Sequence, residues 1–256
     1  MMRALFDYSG HRVLVTGAAG GIGRAVAEGF AAAGASLVIV DMNPAIQAVA
    51  EEIGGDVTAL QCDIADGEAV RSALGGLGSV DVLVNNAGLE RPTPLAGPDP
   101  ETDEIFDRII DVNIRGTRNV TRALLPAMQP GARILLTASI WGRTAVPDFS
   151  AYVASKHAII GLARTWAQEL GPRGIRVNAI CPGWVRTKQA MGSLARMAEA
   201  QRRSEQDLLT EVSDAQALEG VMDPADVAGL YLFLGSDAAA NITGQAINID
   251  RGEVMS

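Results

Sequence analysis

Tyr152 and Lys156 stand four residues apart in the segment YVASK. On a helix that spacing puts both side chains on one face, so a phenol and an ammonium can reach the same pocket. A free phenol has a pKa of about 10, too high for a base near neutral pH. A close cation favours the phenolate and brings it toward the working range. Lysine is scarce in this chain, with Lys156 and Lys188 set against 19 arginines. A surface pair at i and i+4 is the bland alternative. Ser139 ends an apolar run 13 residues before the tyrosine, where its hydroxyl can hold a substrate oxygen. Phenol, ammonium and hydroxyl together suit proton transfer to or from an oxygen atom.

Elements that must position these groups follow in alternation. The predicted strands are Arg12–Thr16, Ser36–Asp41, Val57–Asp63, Val80–Asn85, Arg133–Ser139, Ile175–Pro182 and Gln245–Asp250. Helices are predicted at Ile22–Ala33, Pro44–Ile53, Glu68–Leu74, Glu101–Leu125 and Ala151–Leu170, with a last one from Asp223-Pro224 to about Gly235. Near-continuous Val/Ile/Leu strands separated by amphipathic helices mark a parallel sheet buried on both faces. The expected fold is α/β, a single Rossmann-type doubly wound domain over residues 1–256. Residues 183–222 break the alternation and are polar, with helical stretches but no strand. Placed after a strand's carboxyl end, they read as a substrate lid or as a surface excursion without function. Asn113 falls inside the long helix, where asparagine often bonds to backbone or bends the helix.

The turn TGAAGGIG, Thr16–Gly23, joins the first strand to the first helix. Small residues let the backbone approach a pyrophosphate, and a helix N-terminus offers free N–H donors. The spacing of Gly17, Gly21 and Gly23 departs from G-x-G-x-x-G, and a glycine-rich turn can also be plain tight packing. Asp41 ends the second strand, 18 residues beyond Gly23. A carboxylate there accepts hydrogen bonds from ribose hydroxyls and repels a 2′-phosphate. Gly20 leaves no basic side chain in the turn, so the expected cofactor is NAD. A turn or cap role is the alternative for Asp41. Asp63 stands equally for a contact to the adenine amino group and for a cap of the next turn.

The bulk numbers narrow the class. The formal net charge is −9 and the basic residues are scattered, which argues against a nucleic-acid or anionic-membrane surface. No apolar run reaches membrane-spanning length. Cys62 and Cys181, the two cysteines, fall in predicted buried strands and suggest a reducing compartment. Met1–Gly10 lacks a secretory pattern, so the cytoplasm is the expected location. No metal site is expected.

In order along the chain, Thr16–Gly23, Asn85-Asn86-Ala87-Gly88, Asn113, Ser139, Tyr152–Lys156 and Pro182-Gly183 with Thr187 resemble the short-chain dehydrogenase/reductase family, from about Arg12 to Gly252. The resemblance implies a seven-stranded parallel sheet in three αβα layers. It also implies hydride transfer between nicotinamide and a secondary alcohol or ketone, in a homotetramer or homodimer. Tyr152 would be the acid/base and Ser139 would polarise the reacting oxygen. Lys156 would lower the tyrosine pKa and bind the nicotinamide ribose, and Asn113 would hold a relay water. Cofactor contacts are expected from Gly17, Gly21, Ile22, Gly23, Asp41, Asp63, Ile64, Asn86, Ala87, Gly88, Tyr152, Lys156, Pro182, Gly183, Val185 and Thr187. Arg251 stands where many relatives carry glycine, and is expected to alter a subunit contact or the pocket edge.

Substrate contacts are expected from residues that follow the catalytic ones: Ser139 itself, Trp141 and Arg143, Trp184 and Lys188, with Glu90 and Arg91 after Gly88. Arg and Lys here can anchor a carboxylate or sugar hydroxyls. Polar groups outnumber apolar ones at the predicted mouth, which favours a polyol, sugar or hydroxy acid as the small-molecule substrate. Two alternatives stand beside this. One is an NADPH-dependent 3-oxoacyl-carrier-protein reductase; the other is a non-catalytic NAD-binding regulatory protein on the same fold.

Overall fold

A computed structural model describes residues 6–96 and 100–255. The first residues of the N-terminal stretch read above lie outside it. Among the described residues seven strands form: β1 Arg12–Thr16, β2 Ser36–Asp41, β3 Val57–Gln61, β4 Val82–Asn85, β5 Arg133–Thr137, β6 Arg176–Pro182 and β7 Ala246–Ile249. They make one sheet in the order β3-β2-β1-β4-β5-β6-β7, with every neighbouring pair parallel. The order reverses between β1 and β4, which opens a crevice at the strand carboxyl ends.

Helices cover both faces. They are α1 Gly21–Ala32, α2 Ile46–Ile53, α3 Gly67–Leu74, α4 Pro100–Ile110, α5 Thr117–Leu124, α6 Ser150–Leu170, α7 Lys188–Gln201, α8 Glu205–Asp214 and α9 Pro224–Gly235. The strand pleat sends successive residues to opposite layers. Val13 and Val15 pack toward α1, α2 and α9, with Phe30, Ile46, Tyr231 and Leu234. Leu14 packs toward α3, α5 and α6, with Val70, Val120, Ile159 and Ala163. That two-sided burial is why the strands read as unbroken apolar runs.

Two sequence expectations change. The third strand stops at Gln61, so Cys62 and Asp63 lie on the loop beyond it. The helix expected unbroken over Glu101–Leu125 holds a π-helical turn at Asp111–Gly116, between α4 and α5. That turn is centred on Asn113, whose side chain bonds outside the helix. Both cysteines are free and buried.

Residues 183–222 form a separate helical layer. Leu194, Ala198 and Leu208 form its buried hydrophobic cluster, flanked by Trp184, Met191, Met197 and Leu209. Its base closes where Val185 pairs with Met222 in an isolated parallel bridge. Arg251, in the left-handed region at φ 58°, donates from Nη1 to Glu219 O at 2.8 Å, and Leu218 N donates back to Arg251 O at 3.0 Å. Arg251 therefore ties the return of this layer to the C-terminal segment. Among the described residues, no helix is long and apolar enough to cross a membrane, and no cluster of ligating side chains could hold a metal ion.

Candidate active site

The crevice is a cavity of about 960 Å³ that runs from Asp41, Asp63 and Arg108 at one end to Trp141, Trp184 and Arg196 at the other. Its floor is the glycine turn. Gly17 sits at φ 69°, and a Cβ there would lie 2.7 Å from Ala87 Cα. Gly23 faces inward, and a Cβ on it would collide with the Gly17 carbonyl oxygen. Thr16 Oγ1 accepts from the backbone N–H groups of Asn86 and Ala87, both at 3.0 Å. Asn86 Nδ2 donates to Thr16 O at 3.2 Å and to Gly17 O at 3.3 Å. The turn and the end of β4 are thus one hydrogen-bonded unit whose cavity face is backbone and small side chains, a shape that suits a pyrophosphate.

At the first end, Asp41 Oδ2 accepts from Ala19 N at 3.0 Å and Oδ1 from Asn43 N at 2.9 Å. The strand-end carboxylate also shapes the turn. Asp63 shows its capping role, with Oδ1 accepting from Ala65 N at 3.0 Å. Its other oxygen pairs with Arg108 Nη2 at 2.7 Å. Arg108 was not expected at the site. It comes from α4, and nothing local in the sequence points it at the β3 end.

The central groups are held from several elements. The start of α6 is pinned by Ser150 Oγ donating to Thr93 O at 2.7 Å and by Ala151 N donating to Thr93 Oγ1 at 3.0 Å. This aims Tyr152 into the cavity, where its hydroxyl has Ser139 for a neighbour on the lining. Ser139 Oγ also accepts from Trp141 N at 3.1 Å. Lys156, 4% exposed, donates from Nζ to Thr137 O at 2.8 Å and sits 5.4 Å from the centre of the Tyr152 ring.

Asn113 Oδ1 accepts from Leu89 N at 2.7 Å, while Nδ2 donates to Leu89 O at 3.0 Å and to Ser155 Oγ at 2.9 Å. Its amide pairs with Leu89 as a neighbouring strand would, and the π turn lets it reach that far. A Cβ on Gly88 would lie 3.3 Å from Asn113 Oδ1 and 3.5 Å from Lys156 Nζ, so these two side chains flank Gly88.

Burial, with the nearby Glu90 charge, pushes the Tyr152 phenol above its ordinary value, and the neighbouring Ser139 hydroxyl only partly opposes this. Burial lowers Lys156 itself to about 8, against the pull of Glu90.

Most expected residues line the cavity: Gly17, Gly21, Ile22, Asp41, Asp63, Ile64, Asn86, Ala87, Gly88, Ser139, Trp141, Tyr152, Lys156, Pro182, Gly183, Trp184, Val185, Thr187 and Lys188. Gly23 and Asn113 support the wall from behind. Arg143, expected at the substrate, is not in the lining. It reaches the sheet edge, where Nη2 donates to Ala246 O. The 3₁₀ turn Ile140–Gly142 carries it off the cavity side. Trp141 meets Tyr152 edge to face at 5.9 Å and Trp184 at 6.0 Å. Arg196, on α7, lines the cavity and was also missed, because only the tertiary placement of that helix brings it there.

Known proteins share this arrangement. A family profile described as Enoyl-(Acyl carrier protein) reductase matches residues 17–253. The protein is 39% identical over 257 residues to "Oxidoreductase UcpA" of Salmonella typhimurium, covering 96% of this chain and 95% of that one. It is 34% identical over 252 residues to "3-oxoacyl-[acyl-carrier-protein] reductase FabG" of Thermotoga maritima, covering 94% and 97%. A solved short chain dehydrogenase from Burkholderia cenocepacia, in complex with NADP, superposes with a TM-score of 0.83 at 32% identity, covering 96% of this chain and 99% of the other.

Proposed function

The chain belongs to the short-chain dehydrogenase/reductase family, and on that premise we propose that it is an NAD-dependent oxidoreductase interconverting a secondary alcohol and a ketone on a polyol, sugar or hydroxy acid. The observation that carries this is the Tyr152 phenol beside Ser139, with buried Lys156 5.4 Å from its ring, on the wall of a cavity floored by the glycine turn. The nicotinamide supplies or receives the hydride. Ser139 holds the reacting oxygen by its hydroxyl. In reduction, Tyr152 gives its proton to that oxygen; in oxidation, it takes one back. Asn113 and Ser155 fix α6 against the Leu89 loop, so the phenol keeps its aim. Segment 183–222 is the proposed lid, since Trp184, Lys188 and Arg196 reach the cavity from it.

Asp41 supports NAD. It lies in the lining at the end of β2, where its charge opposes a 2′-phosphate. Arg108, the cation at that end, is engaged by Asp63. The second reading, an NADPH-dependent carrier-protein ketoreductase, draws on the likeness to FabG and to the NADP complex. Titration with NAD⁺, NADH and NADPH, then turnover on an alcohol and ketone panel, separates them. The expected result is preference for NAD(H), with turnover cut about 10³-fold or more by Tyr152→Phe. Preference for NADPH, unmoved by Asp41→Ser, would reject the NAD reading and favour the second one.

A further inference from the structure

Beyond the catalytic groups, the substrate end of the cavity holds, among the described residues, one acidic side chain, Glu90. It follows Leu89, whose N–H and C=O are both gripped by Asn113, so its backbone is fixed from the π turn. Arg91 Nη1 donates to Glu90 O at 2.8 Å, which holds the following peptide as well. Ser193 on α7, a fully buried serine, lies near the Glu90 carboxylate. Ser193 Oγ accepts from Arg196 Nη2 at 2.9 Å. Ser193 and Arg196 thus face Glu90 from α7. Arg196 Nε is buried and has no partner among the described residues, although Arg196 lines the cavity. Such a group in a native site calls for a partner that arrives with the ligand or with water.

We infer that Glu90, with Arg196 facing it from α7, is a specificity-determining anchor for a neutral polyhydroxylated substrate, binding a hydroxyl on a carbon next to the reacting one. A hydroxyl both donates and accepts. Glu90 only accepts and Arg196 only donates, so side by side they match both halves of that group. A carboxylate placed there meets the Glu90 charge, and an alkyl group leaves both buried partners unpaired. The aromatic wall of Trp141 and Trp184 gives the C–H face of such a substrate a surface to lie on.

This rests on the reading of the site as an alcohol and ketone oxidoreductase, and the test keeps the two apart. The probes are cis-cyclohexane-1,2-diol, cyclohexanol, sorbitol and gluconate, with the intact protein and NAD⁺. The wild type should turn over the diol or sorbitol better than cyclohexanol or gluconate. In Glu90→Gln the ratio of diol to cyclohexanol kcat/KM should fall at least about tenfold, the worth of one hydrogen bond to a charged group, chiefly through KM. NADH affinity serves as the check on folding. Arg196→Met, on the α7 side, should shift the same ratio in the same direction and covers the case in which Glu90→Gln does not fold. An unchanged ratio in both variants, or a wild-type preference for cyclohexanol or gluconate, overturns the inference and leaves the oxidoreductase standing. Wild-type turnover of none of the four removes the functional reading, and the inference with it.

Discussion

The cavity has two sides built in different ways. On the sheet side, hydrogen bonds lock the turn and two of the groups proposed for the reaction: Thr16 to Asn86 and Ala87, Asn113 to Leu89 and Ser155, Lys156 to Thr137. On the side of residues 183–222, three buried hydrophobic residues and a two-residue bridge hold a pair of helices together. Sites of chemistry need fixed geometry, whereas the elements that admit a substrate come from the less stable parts of a fold. The difference separates what the family shares from what distinguishes its members. On the proposed reading the reaction sits on the rigid side, and residues 183–222 share the choice of substrate with Glu90.

The sharpest way to test the contrast is to strain the rigid side. Gly23→Ala forces a methyl group into the Gly17 carbonyl, and both belong to backbone that cannot yield. It should cost about 4 kcal/mol or more in denaturant unfolding, with cofactor binding lost in parallel. A loss under about 1 kcal/mol would mean that the turn is as soft as the lid.

The next effect in size is electrostatic. Burial lowers Lys156 to about 8 from 10.5. A lysine depressed on folding is released first by the native state, so between those values the unfolded chain binds more protons and stability rises with pH. Comparing wild type with Lys156→Met cancels the other titrating groups. The gap should move in favour of wild type by about 3 kcal/mol between pH 7 and pH 11. A pH-independent gap would show that Lys156 is not desolvated as described.

The smallest expected change lies on the other side. Leu194→Ala opens a cavity in the lid cluster, where a buried leucine normally contributes about 2–5 kcal/mol. The contrast predicts that this cluster opens on its own, so global unfolding should shift by less than about 1 kcal/mol, while the amides of α7 exchange faster. An equal loss across the whole molecule would join the two sides into one cooperative unit.

Legibility in the sequence follows the same division. β1 and β2 carry the bounds expected of them, because two-sided burial writes itself as unbroken Val/Ile/Leu runs. Tyr152 and Lys156 meet because helix spacing is a local property, whereas the fifth strand stops at Thr137 and Ser139, expected at its end, caps the 3₁₀ turn that follows. The π turn at Asn113 was not legible, since the composition of 101–125 is that of an ordinary helix and the departure depends on Leu89, 24 residues away. Arg143 reads as a pocket residue by its place after Ser139, yet a short 3₁₀ turn carries it to the sheet edge. Arg108 and Arg196 carry no motif. Their places are set by how whole helices pack, and no window of sequence states that.

The aromatic wall has an optical consequence. The protein holds three tryptophans, and two of them, Trp141 and Trp184, face the cavity, while Trp166 packs against the core beneath α6. Indole emission overlaps the absorbance of reduced nicotinamide, and one of the two cavity indoles belongs to the lid cluster. The protein thus carries an unlabelled fluorophore pair at the seam between its two sides. Quenching of that pair reports cofactor arrival, and a shift in its emission colour reports the seam drying as substrate is enclosed.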